Sequence, residues 1–430
     1  MSTSTASATE RWLGALAVVR LALAASGAAA AVTAGDGWFV WLLLAAVLLI
    51  DRKLAWLEPR RRRRELLVEL PVIALGVLAL GWLTVQVVLS QQGSDLEPSA
   101  LLRFAGYVML WLLALRQVHR LLVRLAERAP WLRRHRDLRT LLCASVLVVG
   151  CMPQLFVALQ THRIAVGQTP DTRFAGAAAS EVEFANHDGH SLRGTLLRQP
   201  SAAPDTPVVI VCHGLGANRA MFFGYAQLAF ELGCHVLAFD FRAHGHSGGM
   251  VTTIGAREAE DVVAAAEFVR SDPGLRGPLV LVGVSMGAAT ALRAAGAVAD
   301  AVFAESSYAD LSTMLDARMG LLGPAAPLAS ALAQFAARCQ LGLDLTEVSP
   351  HRALAALPAD VPVVLVHAGA DGVIPLAEGR RLAAARPGLE LHVIPDAGHG
   401  YCLFTARRRI EGLLRELLAS IPPPARRRAR

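Results

Sequence analysis

The chain has 430 residues, 54% of them hydrophobic and 18% charged, with a formal net charge of +7. That apolar excess excludes a chain that is soluble throughout, and the length leaves room for two or three domains. The positive charge does not point to nucleic acid: the arginines stand beside apolar runs, and neither aromatic–basic interleaving nor a nucleic-acid motif occurs.

The apolar excess falls in residues 1–165, where Ala/Leu/Val/Trp runs alternate with arginine clusters. Runs 70–88 and 141–159 carry no charge and approach the ~20 residues that a helix needs to cross the hydrocarbon core. Run 101–115 is shorter and has Arg103 near one end, from where a long side chain reaches the headgroups. Run 38–50 is shorter still. Run 12–33 contains Arg20, whose insertion cost of about 2.5 to 3.5 kcal/mol nearly cancels the gain from its Leu and Val residues. The region is therefore predicted to span a bilayer four or five times. Because apolar runs recur, the first is expected to be a retained helix and not a cleaved signal peptide.

Arg52, Lys53 and Arg60 to Arg64 precede one strong run, and Arg116, Arg120, Arg124, Arg128, Arg133, Arg134, Arg136 and Arg139 precede the other. Segment 91–100 between them has Asp95 and Glu97 and no basic residue. Arginine-rich short loops stay cytoplasmic, so run 141–159 leads outward and the remainder of the chain is expected on the extracytoplasmic side. The four-residue spacing from Arg116 to Arg128 has two readings, a voltage-sensor stripe or a juxtamembrane helix lying on anionic lipid.

After a linker over 166–180, a globular domain is predicted over 181–420, with a basic tail at 421–430. Segment 181–198 reads as an antiparallel hairpin around Asp188-Gly189. Strand-like runs come next at 208–212, 235–241, 279–284, 301–304, 361–367 and 391–394, separated by helix-like segments such as 257–269 and 288–298. Such alternation predicts an α/β fold with a doubly wound, mostly parallel sheet, whose function gathers at the carboxyl ends of the strands. Over 306–358 the alternation is interrupted by a Leu/Ala/Met-rich stretch broken at Gly323-Pro324, which reads as a small helical cap with its own apolar core.

The chemistry-bearing residues lie just past strand ends. Ser285 lies between Gly283 and Gly287 directly after a β-branched run, the pattern of a sharp strand-to-helix turn that exposes a hydroxyl. Asp371 comes after another strand, and His399 lies in Asp396-Ala-Gly-His399-Gly400 after the last. His213-Gly214-Leu215-Gly216 succeeds the first parallel strand, and the N–H groups of Leu215 and Met286 are expected to form an oxyanion hole. Glu305 is an alternative acid for His399, since its strand end also reaches the histidine. Asp240 and Arg242, in Asp240-Phe-Arg242-Ala-His244-Gly-His246-Ser247-Gly248, read as a structural turn whose acid and base pair. His213, His244, His246 and His367 read as hydrogen-bonded turn residues. Cys212, Cys234, Cys339 and Cys402 show no metal-ligand spacing and read as buried free thiols, with a disulfide open if the compartment is oxidising.

Residues 180–420 resemble the α/β-hydrolase superfamily, and within it the serine-aminopeptidase and monoglyceride-lipase-like branch. The resemblance is carried by His213-Gly214, Asp240-Phe-Arg242-x-His244-Gly-x-Ser247, Gly283-x-Ser285-x-Gly287, the strand before Asp371, and Gly398-His399. It implies that Ser285 is the nucleophile, His399 the general base and Asp371 its orienting acid. The expected activity is cleavage of an ester, thioester or amide through an acyl-serine, with neither metal nor organic cofactor. The substrate is expected to be a small-molecule or lipid ester or amide, and a hydrophobic one in view of the apolar cap and adjoining membrane region. The alternatives are a catalytically silent sensing or binding domain coupled to the membrane region, and a channel or transporter, which would need more charges within the spans.

Overall fold

The computed structural model describes residues 178–422, together with Val157, Gln160, Thr161 and 168–173. The predicted membrane spans lie outside these residues, apart from Val157. Among the described residues no helix is long and apolar enough to cross a membrane.

Eight strands form one sheet: β1 (Ala179–Ala185), β2 (Ser191–Leu197), β3 (Val208–Cys212), β4 (His235–Phe239), β5 (Leu279–Val284), β6 (Ala301–Glu305), β7 (Val363–Ala368) and β8 (Leu391–Ile394). Their spatial order is β1-β2-β4-β3-β5-β6-β7-β8. The β1–β2 and β2–β4 pairs are antiparallel, and every other neighbouring pair is parallel. Gly189, at φ 82°, makes the turn of the predicted hairpin.

The central strands are continuous apolar runs because helices cover both faces of the sheet. Successive side chains point to opposite faces. Thus Val208, Ile210, Leu279 and Leu281 join one buried cluster, while Val209, Val211, Val280 and Val282 join the other. The first cluster packs under α2 (Glu258–Ser271) and α3 (Met286–Val298), with contributions from α6 (Pro350–Ala356) and α7 (Leu376–Ala384). The second packs under α1 (Phe223–Glu231), α8 (Cys402–Thr405) and α9 (Arg407–Ala419). Between β6 and α6 come α4 (Leu311–Met319), a 3-10 segment (Gly320–Ala325) and α5 (Ala326–Leu341). The break falls at the expected pair, where Gly323 takes φ 57° ahead of Pro324.

Three details depart from the sequence reading. The run at 235–241 ends as a strand at Phe239; the Asp240 N–H still donates to the Arg193 carbonyl of β2 at 2.8 Å, while its side chain binds Arg219. Asp240 and Arg242 do not pair with each other: the buried Arg219 takes Asp240, while Arg242 is gripped by Asp261 and Asp188. Arg219 lies in a loop with no motif to mark it. Last, within the predicted cap, whose apolar residues read as its own core, Leu322 and Leu328 are 55% and 58% exposed.

Candidate active site

Ser285 occupies the single residue between β5 and α3, at φ 57° and ψ −121°. A β-carbon in this region is strained, and such strain persists only where surrounding structure over-determines it. Here the Ser285 N–H donates to the Glu305 carbonyl at 2.8 Å, and the Ser285 carbonyl accepts from Ala289 at 3.1 Å, so the neighbouring strand and the following helix hold the residue from both sides. The glycines are required by proximity. A Cβ on Gly283 would run into the backbone at Gly287, and one on Gly287 would run into the Cys212 carbonyl of β3.

His399 Nε2 lies 2.8 Å from Ser285 Oγ, and its Nδ1 lies 2.7 Å from Asp371 Oδ2. With the Nδ1 proton donated to the carboxylate, Nε2 is left to accept the serine proton. Asp371 Oδ1 accepts from the N–H groups of Val373 and Ile374, each at 2.8 Å. Burial works to raise the Asp371 pKa, but the hydrogen bonds from His399, Ile374 and Val373 outweigh it, and the carboxyl is held below the usual range. Next to it, His367 belongs to β7 and not to a turn, and its Nε2 lies 3.0 Å from the Ile374 carbonyl, further bracing the Asp371 loop.

Glu305 is wired differently. Its carboxylate is fully buried and accepts from the Tyr225 hydroxyl and, at 3.2 Å, from the Cys402 N–H; no hydrogen bond joins it to His399. Burial raises its pKa, against the lowering effect of those donors and of nearby His399. One residue thus fixes the backbone of Ser285 through its carbonyl and the segment after His399 through its side chain.

Among the described residues, neither the Leu215 nor the Met286 N–H meets a protein acceptor. Met286 opens α3, where backbone donors have no intrahelical partner. The Leu215 turn is shaped by Ala217 N–H to the Gly214 carbonyl (3.2 Å) and by Gly216 N–H to His244 Nε2 (3.2 Å). His213 and His244 are buried hydrogen-bonded residues; His213 Nε2 accepts from Phe241 N–H at 3.0 Å, and burial followed by the charge of His244 lowers its pKa.

Two further supports escaped the sequence reading. Glu258 is fully buried and accepts from the hydroxyls of Thr252 and Thr253 and the N–H groups of Thr253 and Gly255. The Thr252 hydroxyl also lies 3.8 Å from Met286 Sδ, and the Thr252 N–H donates to the Thr161 carbonyl at 2.8 Å. Tyr225, on α1, is the other. An acid in a first helical turn and an aromatic in an apolar helix are too ordinary to be marked in a sequence. Cys212, Cys234 and Cys402 are buried free thiols. Among the described residues no group of three or more His, Cys, Asp or Glu side chains is arranged to hold a metal ion.

A family model described as "Alpha/beta hydrolase family" matches residues 209–411. The chain is 32% identical over 216 residues to the uncharacterized protein YqkD of Bacillus subtilis, which covers 48% of this chain and 69% of that protein. It is 26% identical over 279 residues to the uncharacterized protein Rv2307c of Mycobacterium tuberculosis, covering 62% and 90%. Among solved structures, the Pyrococcus furiosus esterase Pf2001 aligns with a TM-score of 0.49 at 24% identity, over 60% of this chain and 98% of its own. The family model spans from β3 into α9, and with YqkD 32% identical and matched over more than two thirds of its length the chain belongs to the α/β-hydrolase family.

Proposed function

We propose that the chain is a membrane-anchored serine hydrolase that cleaves an ester or amide, preferentially a hydrophobic one, through an acyl-serine intermediate. The observation that carries this reading is the unbroken hydrogen-bond series Asp371–His399–Ser285, set on a strained turn beside two unpartnered N–H groups.

Ser285 Oγ attacks the substrate carbonyl carbon as His399 Nε2 takes its proton, and the ionised Asp371 stabilises the imidazolium through Nδ1–H. The negative oxygen of the tetrahedral intermediate is stabilised by the N–H groups of Leu215 and Met286. Collapse returns the carbonyl and breaks the bond to the leaving oxygen or nitrogen, which takes the proton from Nε2. Water then repeats the sequence on the acyl-serine, giving the acid and free Ser285. No step requires a metal or organic cofactor.

Two features favour a hydrophobic substrate and an anchored enzyme. Leu322 and Leu328 of the cap segment stand exposed where a polar cap would present charge. The first strand begins about twenty residues after run 141–159, so even a fully extended tether of roughly 3.3 to 3.6 Å per residue keeps the domain within about 7 nm of a bilayer. The extracytoplasmic placement of the domain is drawn from the arginine asymmetry. The motifs around Asp240 and Ser285 favour the serine-aminopeptidase and monoglyceride-lipase-like branch.

Labelling the full-length protein in membranes with a fluorophosphonate tests the central claim. Ser285→Ala is expected to abolish labelling while leaving the unfolding transition in place; labelling of this variant at the wild-type level would assign the nucleophile elsewhere.

A further inference from the structure

The segment that carries His399 continues into an unusual surface. Tyr401 and Phe404 are 59% and 67% exposed, with ring centroids 5.9 Å apart. Met221, in the loop after β3, and Val373, two residues past Asp371, are exposed as well. The loop after β3 adjoins the 400–404 segment: the ring of Phe222 lies 3.4 Å from where a Gly400 Cβ would stand, and Leu403 lies 3.2 Å from the corresponding point at Gly224; Val373 is tied to the same region through the Asp371–His399 hydrogen bond. The apolar strip therefore borders the Ser285–His399 pair on the side of the histidine.

The strip ends in cations. Arg407, Arg408 and Arg409 open α9 with no acidic residue in its first turn. A helix N-terminus carries partial positive charge and disfavours cations, so helix stability does not account for three arginines there. Arg407 binds Glu231, while Arg408 and Arg409 are exposed and have no ion pair among the described residues. Helical side chains tilt toward the N-terminus of their helix, which carries these guanidinium groups toward Phe404. Asp396, exposed ahead of His399, is an acid on the same segment and is outnumbered.

Exposed aromatics backed by unpaired arginines match the chemistry of a bilayer interface, where the rings enter the headgroup layer and the cations meet anionic lipid. We infer that Met221, Val373, Tyr401, Phe404, Arg408 and Arg409 form a docking surface for an anionic lipid bilayer, holding the mouth of the site against the membrane surface. Its catalytic consequence rests on the proposed serine chemistry: ester dissolved in the lipid reaches Ser285 without crossing bulk water. The docking itself does not depend on that chemistry.

The test uses the full-length chain reconstituted in vesicles, either phosphatidylcholine alone or equimolar phosphatidylcholine and phosphatidylglycerol, with a nitroxide on Phe404→Cys or, as an exposed control on β8, on Val393→Cys. Both positions are exposed, so labelling does not disturb the core. In the anionic vesicles the label at position 404 is expected to become accessible to oxygen and protected from a water-soluble nickel chelate, while the label at 393 stays aqueous. Adding Arg408→Glu and Arg409→Glu is expected to return label 404 to water. The same double substitution, without the label, is expected to lower hydrolysis of a vesicle-borne long-chain ester several-fold relative to a soluble acetate ester. An aqueous label 404 in anionic vesicles would overturn the inference, as would spin–spin broadening showing that a second copy covers it. If wild type hydrolyses neither ester, the hydrolase reading fails while the nitroxide result still decides the docking.

Discussion

Two carboxylates lie near one imidazole, and their hydrogen bonds assign them different work. Asp371 touches His399 Nδ1, whereas Glu305 touches Tyr225 and Cys402. Asp371→Asn replaces an acceptor by an amide that favours the wrong imidazole tautomer, and a loss of about 10⁴-fold in kcat is expected. Glu305→Gln keeps one acceptor, and the Tyr225 hydroxyl can turn to accept from the new amide. Its loss is expected on the order of tenfold, the kinetic equivalent of about one ordinary hydrogen bond. Steady-state kinetics on both variants checks the ranking, and the reverse order would make Glu305 the orienting acid. The two acids also differ in linkage. The Asp371 pKa is lowered, so its contribution to stability is present above its unfolded value of 3.8 and lost as pH falls through the folded value. That of Glu305 is raised by burial, so the folded state binds the extra proton, and stability falls as pH rises from its unfolded value of 4.5 through the folded one. Glu305→Gln removes the second effect. The difference in Tm between this variant and wild type is expected to move in the variant's favour between about pH 4 and pH 7, and a pH-independent difference would mean that Glu305 titrates as it does unfolded.

At the level of elements, what was legible in the sequence was what local chemistry dictates. Continuous apolar runs marked the buried strands, Asp188-Gly189 marked the hairpin, and Gly323-Pro324 marked the break in the cap segment. Ser285 was marked by its flanking glycines, because crowding between β3, β5 and α3 admits no side chain beside it. Supports set by the approach of distant segments were not legible. Arg219 reaches Asp240 across 21 residues, and Tyr225 reaches Glu305 across 80, with no periodicity or turn signal linking them. The pairing of Asp240 with Arg242 failed for the same reason: sequence proximity suggested a partner that tertiary packing assigned elsewhere. The tight junction of α3 on β3 gives a prediction at this scale. Gly287→Ala places a methyl group against the Cys212 carbonyl, which belongs to a central strand and cannot retreat as a side chain does. A loss of about 1 to 3 kcal/mol is expected from such overpacking. Because the shift falls one residue past Met286, fluorophosphonate labelling is expected to slow as well. Thermal unfolding and labelling kinetics check the two effects separately, and a variant unchanged in both would show that α3 moves freely on the sheet.

For the whole molecule, the asymmetry of charge along the chain decides on which side of a membrane the hydrolase domain is expected to work. The arginines of residues 52–64 and 116–139 flank segment 91–100, which carries acids and no base. Placing both clusters outside would require moving many guanidinium groups across the hydrocarbon core, each at about 2.5 to 3.5 kcal/mol on insertion scales, whereas the acid-bearing segment presents no comparable barrier. With both clusters inside, run 141–159 is expected to lead outward, and the short connection from it to β1 would place the domain on that face. The expected orientation is the same for four spans or five, because it is set by the last run and not by the first. A reporter active only outside the cytoplasm is therefore expected to be active when fused after Arg430 and silent when fused after Arg134, with a cytoplasmic reporter giving the opposite pattern. Protease added to intact cells is expected to reach the hydrolase domain. A protected domain and an active cytoplasmic reporter after Arg430 would reverse the orientation, and the lipid face available to Tyr401 and Phe404 would then be the inner leaflet.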